Sequence, residues 1–159
     1  WPELAVQVQQ PGLDDEARAA FLAAFSEDPA ETLVGFCVMG GVFGEGVDLA
    51  GSRLIGAAIV GVGLPQVNAR QQALRDYYEE KNGQGFAYAY QYPGWNKVLQ
   101  AAGRVIRTET DRGVVLLLDE RFSQPRYRRL MPPHWQHCRY LASPRQLQDE
   151  LAVFWEEEA

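Results

Sequence analysis

Three continuous apolar runs constrain this chain more than any other feature: Thr32–Met39 (TLVGFCVM), Leu54–Val62 (LIGAAIVGV) and Val114–Leu118 (VVLLL). A strand with one wet face alternates apolar and polar residues. These runs do not, so they fit strands covered on both faces, as in a parallel sheet. A shorter, alternating segment, Leu4–Gln9, reads as a further strand and is broken by Pro11-Gly12. Helical signals fall between the runs. Asp14 can N-cap a helix that repeats Ala17, Phe21, Leu22 and Phe25 at helical spacing. Gln66–Lys81 is polar and free of Gly and Pro, which predicts an exposed helix, and Trp95–Ala102 predicts another. Ser143-Pro144 supplies a cap with Pro at the first helical position, opening a last helix that runs to Trp155. Strands that alternate with helices predict an α/β fold: a mostly parallel sheet with helices on both faces.

The 159 residues fit one domain, residues 1–159. With 47% hydrophobic residues, the chain can bury a sizeable core. The net charge of −6 argues against bulk coating of nucleic acid or of an anionic membrane, although a local basic site is compatible with it. Cys37 and Cys138 are too few for a disulfide scaffold or a four-thiolate metal site. No apolar run reaches the length of a membrane span and no secretory leader pattern is present, so no membrane partner and a cytoplasmic location are expected. The first residue is Trp1, not Met, and a fragment of a longer protein is expected.

Chemistry can sit in two places. Gly40-Gly41-Val42-Phe43-Gly44-Glu45-Gly46-Val47-Asp48 directly follows the first apolar run. Its glycines let backbone approach a ligand, and the carboxyl end of a parallel strand is where α/β folds bind ligands. Glu45 and Asp48 can hold a ribose hydroxyl or a cation; a tight turn with capping acids explains the same residues equally well. No Lys-Ser/Thr pair follows, so this is not a Walker A loop. The second place is Gln100-Ala-Ala-Gly103-Arg104-Val-Ile-Arg107. Spacing of i, i+4 and i+7 predicts Gln100, Arg104 and Arg107 on one helix face, with Gly103 allowing close approach of another segment. Two guanidiniums there suit an anion such as phosphate, against a plain surface with Arg–Glu pairs, for example to Glu109.

Together these segments resemble the XPD/DinG branch of superfamily-two helicases. QAAGRVIR resembles motif VI, the Q-x-x-G-R-x-x-R signature, and GVFGEGVD resembles motif V. Asp119-Glu-Arg121-Phe122, followed by Leu130, Pro133 and Trp135, resembles the D-x-R-F … L-P-x-W stretch that closes the second motor domain. Gly61–Pro65 (GVGLP) falls between them in the expected order. The resemblance covers Leu33 to Trp135 and implies a RecA-like helicase C-terminal domain lacking its first strand.

The resemblance implies ATP and Mg²⁺ held mainly by a first RecA-like motor domain of the same polypeptide, which carries the Walker A and DEAH-type residues absent here. It implies catalytic roles for Gln100, Arg104 and Arg107, the two arginines acting as fingers on the γ-phosphate. It places Gly41, Glu45, Gly46, Asp48 and Gly103 at the nucleotide, with Glu45 standing where many relatives have a basic residue. Single-stranded DNA is the implied track, five-prime to three-prime, for a monomer. An iron–sulfur cluster is compatible with the parent protein but has no four-cysteine set in this chain. The other reading is a scaffold or regulatory module derived from such a domain.

Arg70, Arg75 and Lys81 on the long polar helix are candidate nucleic-acid contacts, against a solvated face. Tyr88, Tyr90 and Tyr92 alternate and suit a short strand; as exposed aromatics they would instead stack on bases. His134, His137 and Cys138 are loop residues by this reading, with too few neighbours for a metal. Cys37, inside an apolar run, is expected in the core.

Overall fold

A computed structural model describes residues 4–43, 49 and 51–156. The chain divides into two compact units, Trp1–Phe122 and Ser123–Ala159. The first unit holds β1 (Ala5–Val8), α1 (Asp15–Ala23), β2 (Leu33–Phe36), β3 (Gly56–Val60), α2 (Ala69–Asn82), α3 (Tyr92–Ala102) and β4 (Val114–Leu118). The second holds α4 (Pro125–Arg128), a 3₁₀ turn at Pro133–Trp135 and α5 (Pro144–Glu156). The fold is mixed α/β with parallel strands, as expected.

The strands pair as two parallel ladders. β1 lies beside β2 in the register Ala5↔Leu33 to Val8↔Phe36. β3 lies beside β4 from Gly56↔Val114 to Val60↔Leu118. Each pair needs a crossover, supplied by α1 in the first and by α2 and α3 in the second. Successive residues of β2 and β4 are part-buried, as the apolar runs predict, and exposure comes at the strand ends. Val60 is 73% exposed, and Phe36 and Leu118 are also exposed.

Local signals set the helix ends. The Asp14 carboxylate accepts from the Ala17 N–H at 2.8 Å, and the Asn68 side chain accepts from the Gln71 N–H at 2.9 Å. Gly83, at φ +67°, closes α2. Ser143 Oγ accepts from the Gln146 N–H as α5 begins, and Arg139 grips Glu150 of the same helix with two hydrogen bonds of 2.7 and 2.8 Å.

Two groups of side chains form the interior of the first unit. Phe21 of α1 packs on Phe43 with ring centroids 4.5 Å apart, and Leu49, Leu22, Phe25 and Leu54 surround them. Arg53 ties this group together: its Nε and Nη2 donate to the Phe25 and Leu22 carbonyls at the end of α1. The other group is the buried face of α3, made of Trp95, Val98 and Ala102 at helical spacing, together with Ile59, Val62, Val105 and Phe122.

The loop after β3 lies directly on the start of α3. A Cβ on Gly94 would sit 2.6 Å from the Val62 carbonyl oxygen and 3.0 Å from the Gly63 carbonyl carbon. Only glycine permits that approach. Gly94→Ala is therefore expected to destabilise the fold by about 1–3 kcal/mol, the range for overpacking a filled site. The measurement is the denaturant midpoint, and an unchanged midpoint would mean that helix and loop can separate freely.

The tyrosine-rich segment is helical, not a strand. Ala87–Gln91 forms one π-turn leading into α3, with the Tyr92 N–H bonded to the Ala87 carbonyl. Pro93 accounts for this departure: it has no N–H to bond the Ala89 carbonyl, and the Gln71 Nε2 donates to that carbonyl instead, at 2.7 Å. Tyr90 and Gln91 are consequently buried, and Tyr88 stacks on Tyr78 at 4.3 Å.

Cys37 is a second correction. It lies one residue beyond β2 and is exposed, because the strand ends before it. Partial burial still pushes its thiol above the ordinary value, which disfavours the reactive thiolate.

Candidate functional site

The glycine-rich segment starts at the carboxyl end of β2 and is fixed there by its neighbours. Gln9, just past β1, accepts from the Val38 N–H at 2.8 Å, and the Gly41 N–H donates to the Val38 carbonyl at 3.0 Å. Gly40 turns the chain at φ +76°, and the aliphatic stem of Lys97 from α3 lies against it. Phe43 and Leu49, which flank the segment, are buried in the α1 group. Gly41 is thus placed at a strand's carboxyl end, where the sequence puts it. Glu45, Gly46 and Asp48 lie outside the described residues.

The carboxyl ends of β3 and β4 meet beside this point in the fold. The Gly61 N–H donates to the Leu118 carbonyl. One residue on, Asp119 binds Arg121 as a fork: Nε to Oδ1 at 2.9 Å and Nη2 to Oδ2 at 2.7 Å. The Arg121 side-chain hydrogen bond holds the Asp119 carboxyl below its usual range. Phe122 packs on Trp95 with centroids 6.0 Å apart. In this D-E-R-F segment the charged pair and the aromatic ring serve packing, and the carboxylate is committed to Arg121.

Gln100, Arg104 and Arg107 do not share a helix face. α3 ends at Ala102, and the Gly103 N–H closes it on the Leu99 carbonyl. The Arg104 and Val105 N–H groups then bond to the Ala101 and Ala102 carbonyls in a tighter turn. The helix stops at Gly103, a poor helix former, and Val105 beyond it is 1% exposed and packs on Gly113, beside the start of β4. Gln100 is exposed on the last turn of α3, Arg104 is half-buried in the tight turn, and Arg107 is exposed in the loop beyond. Among the described residues, a Cβ on Gly103 would meet only the carbonyl oxygens of Leu99 and Gln100, from its own helix.

Asp111 organises that loop, and the motif reading does not single it out. Its Oδ2 accepts from the Arg107 N–H at 2.8 Å and from the Thr108 N–H at 2.9 Å. The signal available in the sequence is a short polar acid placed before Gly113, a turn composition.

The long helix α2 presents Arg70, Arg75 and Lys81 as exposed residues, but not as one patch. Arg70 and Tyr77 line an open groove with Pro65, Asn68, Gln71 and Leu74. Arg75 and Lys81 are not among its lining residues. Lys81 Nζ instead bonds to the Tyr77 hydroxyl at 3.2 Å and sits 5.3 Å from the ring centroid. Among the described residues, no cluster of three or more His, Cys, Asp or Glu can hold a metal ion. Among them too, no helix is long and apolar enough to cross a membrane.

A family model described as a helicase C-terminal domain matches residues 2–138. The ATP-dependent helicase DinG of Mycobacterium tuberculosis is 30% identical over 131 residues, which is 77% of this chain and 18% of the relative. The ATP-dependent DNA helicase DinG of Photobacterium profundum is 36% identical over 89 residues, 55% of this chain and 13% of the relative. Two solved structures share the fold. An XPD structure in the apo form has a TM-score of 0.62 at 23% identity, over 78% of this chain and 25% of that one. A second, an XPD helicase, has a TM-score of 0.60 at 22% identity, over 78% of this chain and 22% of that one. The chain therefore spans only a small part of the length of the curated relatives it matches.

Proposed function

Because the chain belongs to the helicase C-terminal domain family, of the XPD/DinG type, we propose that it is the second motor domain of an ATP-dependent DNA helicase. In this reading ATP lies between this domain and a first RecA-like domain of the same polypeptide, which supplies the Mg²⁺ ligands. Gln100, Arg104 and Arg107 complete the nucleotide site from this side. Gly41, Glu45, Gly46, Asp48 and Gly103 belong to the same edge, and Arg70, Arg75 and Lys81 are the basic residues offered to single-stranded DNA. Hydrolysis then changes the separation of the two domains and moves the strand.

The observation that carries this reading is the position of Arg107. It is exposed in a loop whose backbone is fixed by Asp111 and whose root, Val105, is buried. A guanidinium on such a loop can meet a partner domain's phosphate without reordering its own backbone. The sequence carries neither a Walker A loop to cradle the β- and γ-phosphates nor a DEAH-type box for Mg²⁺. The isolated 159-residue chain is therefore expected to release no phosphate from ATP, with or without single-stranded DNA. A phosphate-release assay on the purified chain tests this, beside the full-length protein as a positive control. DNA-stimulated turnover by the chain alone would refute the division of labour.

A further inference from the structure

We infer that Asp111 is a positioning residue for Arg107, fixing the backbone of the arginine loop. The inference rests on the reading that Arg107 acts on the nucleotide. Two backbone donors converge on one oxygen of this carboxylate. The Arg107 and Thr108 N–H groups both reach Oδ2, at 2.8 and 2.9 Å. The turn is closed again by the Asp111 N–H on the Thr108 carbonyl, and by contact of the Thr108 and Thr110 hydroxyls at 3.1 Å.

The loop is held at two points: its root, Val105, is buried against Gly113 beside the start of β4, and its crest is tied to the Asp111 carboxylate. Hydrogen bonding, from the Thr108 side chain first and then from the Arg107 and Thr108 backbone, holds the Asp111 carboxyl below the usual range, so it is ionised wherever the protein is folded near neutral pH. The charge makes each backbone hydrogen bond stronger than a neutral one.

A guanidinium that must meet a developing charge loses effect when its backbone is free to drift, and a misplacement of about 1 Å can cost about 100-fold. In the full-length protein, Asp111→Ala is expected to lower the kcat of DNA-stimulated ATP hydrolysis by about 10- to 100-fold, with the KM for ATP changed less than about threefold. Asp111→Asn keeps one acceptor oxygen and should retain more turnover than Asp111→Ala. The decisive arm is the double variant. If Asp111 acts through Arg107, Asp111→Ala adds nothing to the loss already caused by Arg107→Ala. An equal loss in both backgrounds, or unchanged kcat in Asp111→Ala, would overturn the inference while leaving the arginine reading intact. Unchanged turnover in Arg107→Ala itself removes the reading beneath, and the inference with it.

Discussion

Replacing Arg107 with Ala in the full-length protein is expected to reduce DNA-stimulated ATP turnover by about 10³-fold or more, the lower end of what arginine fingers contribute in phosphoryl transfer. The charge that builds on the transferring phosphoryl group needs a cation that remains charged when water is excluded, and arginine does so at any working pH. Arg107 is exposed, and the unfolding curve of the variant separates a loss of stability from a loss of chemistry. Arg104→Ala is expected to act in the same direction, but Arg104 is half-buried and its loss should also cost some stability. Arg107→Lys keeps the charge but loses the planar fork, so partial activity is expected there. The assay is steady-state phosphate release at saturating DNA, read with a thermal unfolding curve for each variant. Wild-type turnover in Arg107→Ala would remove the arginine from the reaction.

Trp95→Ala is the substitution expected to harm the fold most, by about 3–5 kcal/mol, as for other buried aromatic truncations. Trp95 is 3% exposed and touches Phe122 across the interior of the first unit. It sits one residue after Gly94, where the α3 backbone presses on the β3 loop, so the helix cannot easily shift to fill the space. Phe122 follows Asp119 and Arg121 in sequence, and a collapsed interior would also disturb that ion pair. Urea or guanidinium unfolding of wild type and variant gives the number directly. A loss below about 1 kcal/mol would show that neighbouring side chains can close the cavity.

The starts of α1 and α5 and the strand cores were legible in the sequence because their causes are local. Asp14 and Ser143 accept from N–H groups three residues on, whereas the Asn68 cap, which starts α2 at Ala69 and not at Gln66, was not read. Val114–Leu118 is a strand over the whole of the predicted run, since five consecutive branched apolar residues suit little else. The three motif segments were legible for another reason, namely that side-chain types in order survive without coordinates. Less legible was how the candidate arginines are displayed. Helical spacing placed Arg104 and Arg107 with Gln100 on one face, and the helix ended first, at Gly103.

The sequence by itself determined an α/β chain with parallel strands and its kinship to the helicase C-terminal domain family. Only the tertiary structure decided the exposure of Cys37, the seat of the Gln71 side chain on Ala89 and the tie of Arg53 to the end of α1. The physical reason is separation along the chain. Gln71 reaches Ala89 across 18 positions, and Arg53 reaches Phe25 and Leu22 across 28 and 31. Such contacts exist only once the strands have paired and α3 has docked, so no local preference encodes them.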